Sequence, residues 1–120
     1  DYGRVGADGK PRELHIKKAI DVSKTVPPKY DIKPMGETKY VDKNEVQLIT
    51  KCDLFSVNRY KCTNRMALNV SDNSFMHILV IDGCGDVDGR EAKKGDSFLI
   101  PASYGDVIIA GNLEFLTTKI

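Results

Sequence analysis

"HILVIDGCGDVDGREAKKGDSFLIPASYG", residues 77–105, decides the fold. It opens as an apolar run suited to extended backbone and breaks at Asp82-Gly83, Asp88-Gly89 and Lys94-Gly95. It closes with a second short run, "SFLI", that ends at Pro101. Asp88-Gly89 is the tightest hairpin signal, because a two-residue type I′ turn needs positive φ at both central positions. Short apolar runs punctuated by such turns predict antiparallel strands.

The same texture extends to both sides from Tyr40 onward. "VQLIT", "LFSVNRY", "MALNV", "FMHILVI", "DVIIA" and "LEFLTTK" are short strand-like runs separated by turn residues, with Gly111-Asn112 a further corner. The expected class is mainly β, an antiparallel sandwich or barrel, with no internal repeat. Before Tyr40 the pattern differs. "RELHIKKAIDVS", residues 12–23, sets Leu14, Ile16, Ala19 and Ile20 at helical spacing behind Pro11, a residue suited to a helix's first turn. One short amphipathic helix is expected near 12–23, with Lys17 and Lys18 on its solvated face. "TVPPKYDIKPMGETKY" then stops the helix with three prolines and a glycine, as a tether lying on a surface.

A chain of 120 residues has the size of one domain with one compact core. Its 18 basic and 17 acidic residues give a net charge of +1 and no basic field for a nucleic acid. No apolar stretch approaches the roughly 20 residues of a membrane span, and the N-terminus has no secretion signal, so the location expected is cytoplasmic. Cys52, Cys62 and Cys84 are odd in number and lack C-x-x-C spacing. They read as reduced, buried structural thiols. The chain starts at Asp1 without methionine, and is expected to be a fragment of a longer polypeptide.

The order of motifs in residues 77–105 resembles the core of the cupin family, small jelly-roll β-barrels in which a V-x-x-G-x-G corner is followed by a K-x-G-D turn and a strand ending in proline. The resemblance implies where a metal would sit: two histidines and a glutamate from a first motif, one more histidine from a second. Counting back from Gly83 places Met76 at the glutamate, and Asn69 and Ser71 at the two histidines. With Gly95 and Pro101 as anchors, the remaining histidine falls on Asp106. Methionine, asparagine, serine and one aspartate do not make a three- or four-donor site, so a metal-free barrel is expected.

His77 remains as a candidate. Side chains alternate on a strand, so an inward Met76 carries Ile78 and Val80 inward and leaves Phe75, His77, Leu79 and Ile81 on the other face. There His77 is a hydrogen-bonded packing residue without a second titratable partner nearby in sequence. A strand apolar on both faces is covered on both faces, which predicts something packed over Phe75, Leu79 and Ile81: the N-terminal segment, another copy of the chain, or the rest of a parent protein.

"DYGRVGADGKPRELHIKKAIDV", residues 1–22, resembles the segment joining the two barrels of bacterial type I mannose-6-phosphate isomerases, and "GDSFLIPASYGDVIIAGNLEFL", residues 95–116, resembles their C-terminal end. The resemblance implies an inter-barrel linker over 1–40 and a metal-free cupin barrel over 41–120. It also implies a zinc-dependent parent interconverting mannose 6-phosphate and fructose 6-phosphate through an enediol. Zinc and the assisting arginine would lie in a catalytic barrel upstream of Asp1. Arg4 corresponds to a later arginine of the linker motif, and His15 to a helix residue packed at the domain junction. No residue of this chain then has a catalytic, cofactor-binding or metal-binding role; alone it is an inactive structural buttress. Its expected partners are the catalytic barrel of the same polypeptide and, through the bare apolar wall, further copies of itself. The alternative is a stand-alone, non-catalytic cupin module binding a small sugar or effector through Asn69, Ser71 and Asp106. A third reading is a metalloenzyme using Asp106, His77 and Cys84.

Overall fold

The computed structural model describes residues 2–27 and 31–120. Asp1 and Pro28, the latter one of the tether's three prolines, lie outside the described residues. The chain divides into two compact units between Asp31 and Ile32. The division falls earlier than the expected 40/41, because the amides of Met35 and Gly36 donate to the carbonyls of Ile49 and Leu48 and so tie residues 32–40 to the second unit.

In the first unit, Pro11 is not in a helix. It forms an isolated bridge with Val5, around a turn in which the Gly6 amide donates to the Lys10 carbonyl at 2.8 Å. The helix α1 spans Ile16–Val22, seven residues, with His15 at its N-cap making no side-chain capping bond. Its last turn is bonded by Ser23, whose hydroxyl donates to the Ala19 carbonyl at 2.7 Å. Leu14, Ile16, Ile20 and Val22 are all exposed.

The second unit holds eight strands: β1 Lys39–Val41, β2 Asn44–Lys51, β3 Ser56–Cys62, β4 Arg65–Val70, β5 Met76–Val87, β6 Arg90–Lys93, β7 Ser97–Ile100 and β8 Gly105–Lys119. All pairings are antiparallel, in the order β1-β2-β3-β8-β5-β6, with β4 also on β8 and β7 also on β5. Each strand run of the sequence overlaps one of these elements, with Leu54, Phe55 and Phe75 left outside, but two of the expected corners do not exist. "DVIIA" and "LEFLTTK" are one strand of 15 residues, and the register runs through Gly111 and Asn112 opposite Gly85 and Cys84. Asp82-Gly83 likewise lies inside β5, where Asp82 faces Glu114.

The reason is geometric. Fifteen residues at about 3.3 Å each would run to roughly 50 Å if straight, whereas a unit of this size is only roughly 30 Å across. The strand must bend, and glycines at positive φ (Gly83 at 82°, Gly111 at 102°) let the two paired strands bend together without reversing. Asp88-Gly89 does reverse the chain, with φ of 53° and 80° and Val87 opposite Arg90, the I′ signature. A second such turn, Asp42-Lys43 at 48° and 70°, links β1 to β2. Its sequence gave no warning, since lysine is rare at positive φ.

Burial follows the pleat. Met76, Ile78 and Val80 are buried and alternate with half-buried His77 and Leu79, as the period of two requires. A bulge at Ile81 then changes the parity, so that odd-numbered Val87 points inward. Along β8, Val107, Ile109, Leu113, Phe115 and Thr117 are buried on one side of the strand. The two halves of β8, one paired with β4 and the other with β3, therefore feed a single core. Tyr60 stacks on Phe115, with ring centroids 5.3 Å apart. Burial raises the Tyr60 phenol pKa above its ordinary value, while a hydrogen bond with Thr117 acts the other way.

Asn44 pins the start of β2 to the β3–β4 turn. Its Nδ2 donates to the Arg65 carbonyl and its Oδ1 accepts from the Thr63 amide, both at 3.0 Å, and the residue is 4% exposed. Asn44→Ala should cost about 2 kcal/mol, because two backbone groups lose their partners at once. Urea unfolding measures it; a change under about 0.5 kcal/mol would mean that water replaces the amide there.

Candidate functional site

The positions singled out by the cupin pattern do not meet in the barrel interior, although Asn69, Ser71 and Met76 border one small cavity of about 110 Å³. Met76 points into the core. Asn69 and Ser71 are exposed, and Asn69 lies on the opposite face of β4 from buried Leu68 and Val70. Asp106, directly across from Asn69 in the register, is exposed too, and the Asn69 amide donates to its Oδ1 at 2.7 Å. On a strand one residue is a whole face. The inward residues at that place are Leu68 and Val70, which are hydrocarbon. A pocket drawing its polar groups from Asn69, Ser71 and Asp106 in the barrel interior is therefore not formed.

The same geometry tests the fit of a metal. Leu68, Val70, Met76, Val107 and Ile109 are buried together, and only the Met76 thioether among their side chains has even a weak donor atom. These residues do not fit the zinc that the family resemblance implies for a catalytic barrel. Among the described residues no three of His, Cys, Asp or Glu cluster as a metal site, and Asp106, His77 and Cys84 do not come together.

His77 sits on the outer face, where its Nε2 is 2.7 Å from the Ser97 hydroxyl on the neighbouring strand, one diagonal step from its register partner Leu99. Leu79 and Phe75 flank it, half-buried, and Leu99 is 70% exposed. Of the cysteines, only Cys62 is buried; Cys52 and Cys84 are exposed free thiols, which corrects the expectation of three buried ones. Burial raises the Cys62 thiol above its ordinary pKa, which leaves it a packing residue. Arg4 and His15 are exposed in the first unit.

What the sequence did not single out is a groove of about 300 Å³ between the β5–β6 turn and β7, lined by Val87, Asp88, Arg90, Phe98, Ile100 and Tyr104 among others. Two turns meet there. Tyr104 follows Ser103 at φ 63° and precedes Gly105 at φ 89°, and this bent loop brings the phenol hydroxyl to donate to Asp88 Oδ2. Asp88 is itself held at positive φ, with its amide donating to the Ile108 carbonyl at 2.7 Å. The hydrogen bond and the charge of Asp88 both raise the Tyr104 pKa, and nearby Arg90 opposes them. In sequence these residues read as turn formers only, since 16 positions separate Asp88 from Tyr104. No spacing rule joins them.

A jelly roll of eight antiparallel strands, with two long strands bent through glycines and an interior that is apolar apart from Thr117, defines the molecule as a cupin-type β-barrel. Comparison with known proteins places it more narrowly. The chain belongs to the family described as mannose-6-phosphate isomerase, cupin domain, whose profile matches residues 44–120. It is similar to the probable mannose-6-phosphate isomerase GmuF of Bacillus subtilis, with 32% identity over 97% of this chain and 37% of the relative. It is also similar to mannose-6-phosphate isomerase ManA of the same organism, with 29% identity over all of this chain and 38% of that one. A crystal structure of the Bacillus subtilis mannose 6-phosphate isomerase superposes on the whole chain with a TM-score of 0.71 at 28% identity, and the match covers 38% of that structure. The chain thus spans somewhat over a third of the length of these relatives.

Proposed function

We propose that this chain is the metal-free C-terminal cupin domain of a longer mannose-6-phosphate isomerase, a cytoplasmic zinc enzyme interconverting mannose 6-phosphate and fructose 6-phosphate. In this reading the barrel is a structural buttress and its partner is the catalytic barrel of the same polypeptide. The observation that carries it is the pairing of a match over the full chain with relatives of which that match spans only 38%. The largely apolar interior supports it, because the aldose–ketose conversion needs a base and an electrophile poised at adjacent carbons, and among the described residues the buried ones include no His, Asp, Glu, Lys or Arg.

The test is direct. The purified chain, given zinc and mannose 6-phosphate in a coupled assay, should show no turnover above the protein-free rate. Turnover that scales with chain concentration and disappears on chelation would overturn the reading.

A further inference from the structure

We propose that the groove between the β5–β6 turn and β7 binds a small, neutral, polyhydroxylated molecule the size of one pyranose ring. Its volume of about 300 Å³ equals the share of roughly ten water molecules. That is room for a monosaccharide or a hexitol. The lining contains one carboxylate, Asp88, and one guanidinium, Arg90, so its formal charge is zero. A groove with no net charge has no excess field to draw ions in from a distance.

The polar groups suit hydroxyls, which donate and accept at once. Arg90 is exposed and has no ion-pair partner among the described residues, so its guanidinium donors are free for a ligand. The Tyr104 hydroxyl directs its hydrogen to Asp88 and keeps its oxygen lone pairs to accept. Ser97 Oγ, also in the lining, is fixed by His77. The Tyr104 ring, Leu99 and Pro101 supply an apolar wall for the C–H face of a sugar, over the buried side chains of Val87 and Ile100.

The groove is also preorganised. Two non-glycine residues at positive φ, Asp88 and Ser103, hold its two turns, and the Tyr104–Asp88 bond locks one to the other before any ligand arrives. The proposal stands whether or not the chain belongs to a larger isomerase.

The experiment is a titration of the isotope-labelled 120-residue chain, followed by amide ¹H–¹⁵N spectra, with D-mannose, with mannitol and with inorganic phosphate. Mannose or mannitol should move the amides of residues 88–90, 97–100 and 104 saturably. A ligand of about a dozen heavy atoms at ordinary efficiency gives a Kd on the order of 1 mM. Arg90→Ala and Tyr104→Phe should each weaken binding at least about fivefold, the worth of one hydrogen bond, while their own spectra keep the dispersion of the parent. No saturable shift up to about 100 mM of either polyol would overturn the proposal. So would shifts centred elsewhere on the barrel, or a response to phosphate alone.

Discussion

Gly83→Ala should cost the barrel more than about 4 kcal/mol and leave little folded protein at room temperature. A Cβ at this position would lie 2.1 Å from the Asn112 carbonyl oxygen and 3.1 Å from its carbon. Both are backbone atoms of the paired strand, so no rotamer change relieves the contact. The residue also sits at φ 82°, where a side chain adds about 1 kcal/mol of strain. An 89-residue unit commonly has only about 4–13 kcal/mol in total, so a loss of this size removes much or all of it. Gly89→Ala is the internal control: φ is 80°, and nothing lies within 4 Å of the added carbon. It should lose only the strain, about 1 kcal/mol. Urea midpoints of the two variants separate close approach from backbone conformation, and equal midpoints would mean that β5 and β8 do not run through Gly83 and Asn112 as one ladder.

The glycines also show what was legible in the sequence. Asp88-Gly89 could be read as a hairpin from two letters, because a I′ turn is a local event. Asp82-Gly83 carries the same two letters and is no turn. There the backbone bends inside a ladder, and only the partner strand, some 30 residues later, reveals it. Strand identity was likewise local and came through, whereas the bulge at Ile81, which changes which residues face the core, was set by pairing with β8. The family could be read at both ends of the chain, since linker and C-terminal motifs are contiguous in sequence. The groove could not be, because Asp88, Arg90 and Tyr104 become neighbours only when two turns fold against each other.

The face assignment has the larger consequence for function, and a pair of substitutions reads it out. Met76→Glu should destabilise the barrel by more than about 3 kcal/mol at pH 7, since it places a carboxylate of nearly the same volume at a site 5% exposed, among hydrocarbon side chains and with no cation to pair it. Asn69→His should change stability by less than about 0.5 kcal/mol, since that residue is exposed and an imidazole can still reach Asp106. The pH dependence has a definite sign. Burial raises the folded-state pKa of the new glutamic acid above its unfolded value of about 4.3, so below that value both states are protonated and the charge penalty vanishes. The penalty grows as pH rises through the window between the two pKa values and is complete above the folded one. Denaturation of Met76→Glu at pH 4 and at pH 7 should therefore differ by several kcal/mol, while Asn69→His shows no comparable gap. A well-tolerated, pH-insensitive Met76→Glu would mean that the centre of this barrel is polar enough to hold an ion, and the proposal that the chain is a buttress would lose its chemical basis.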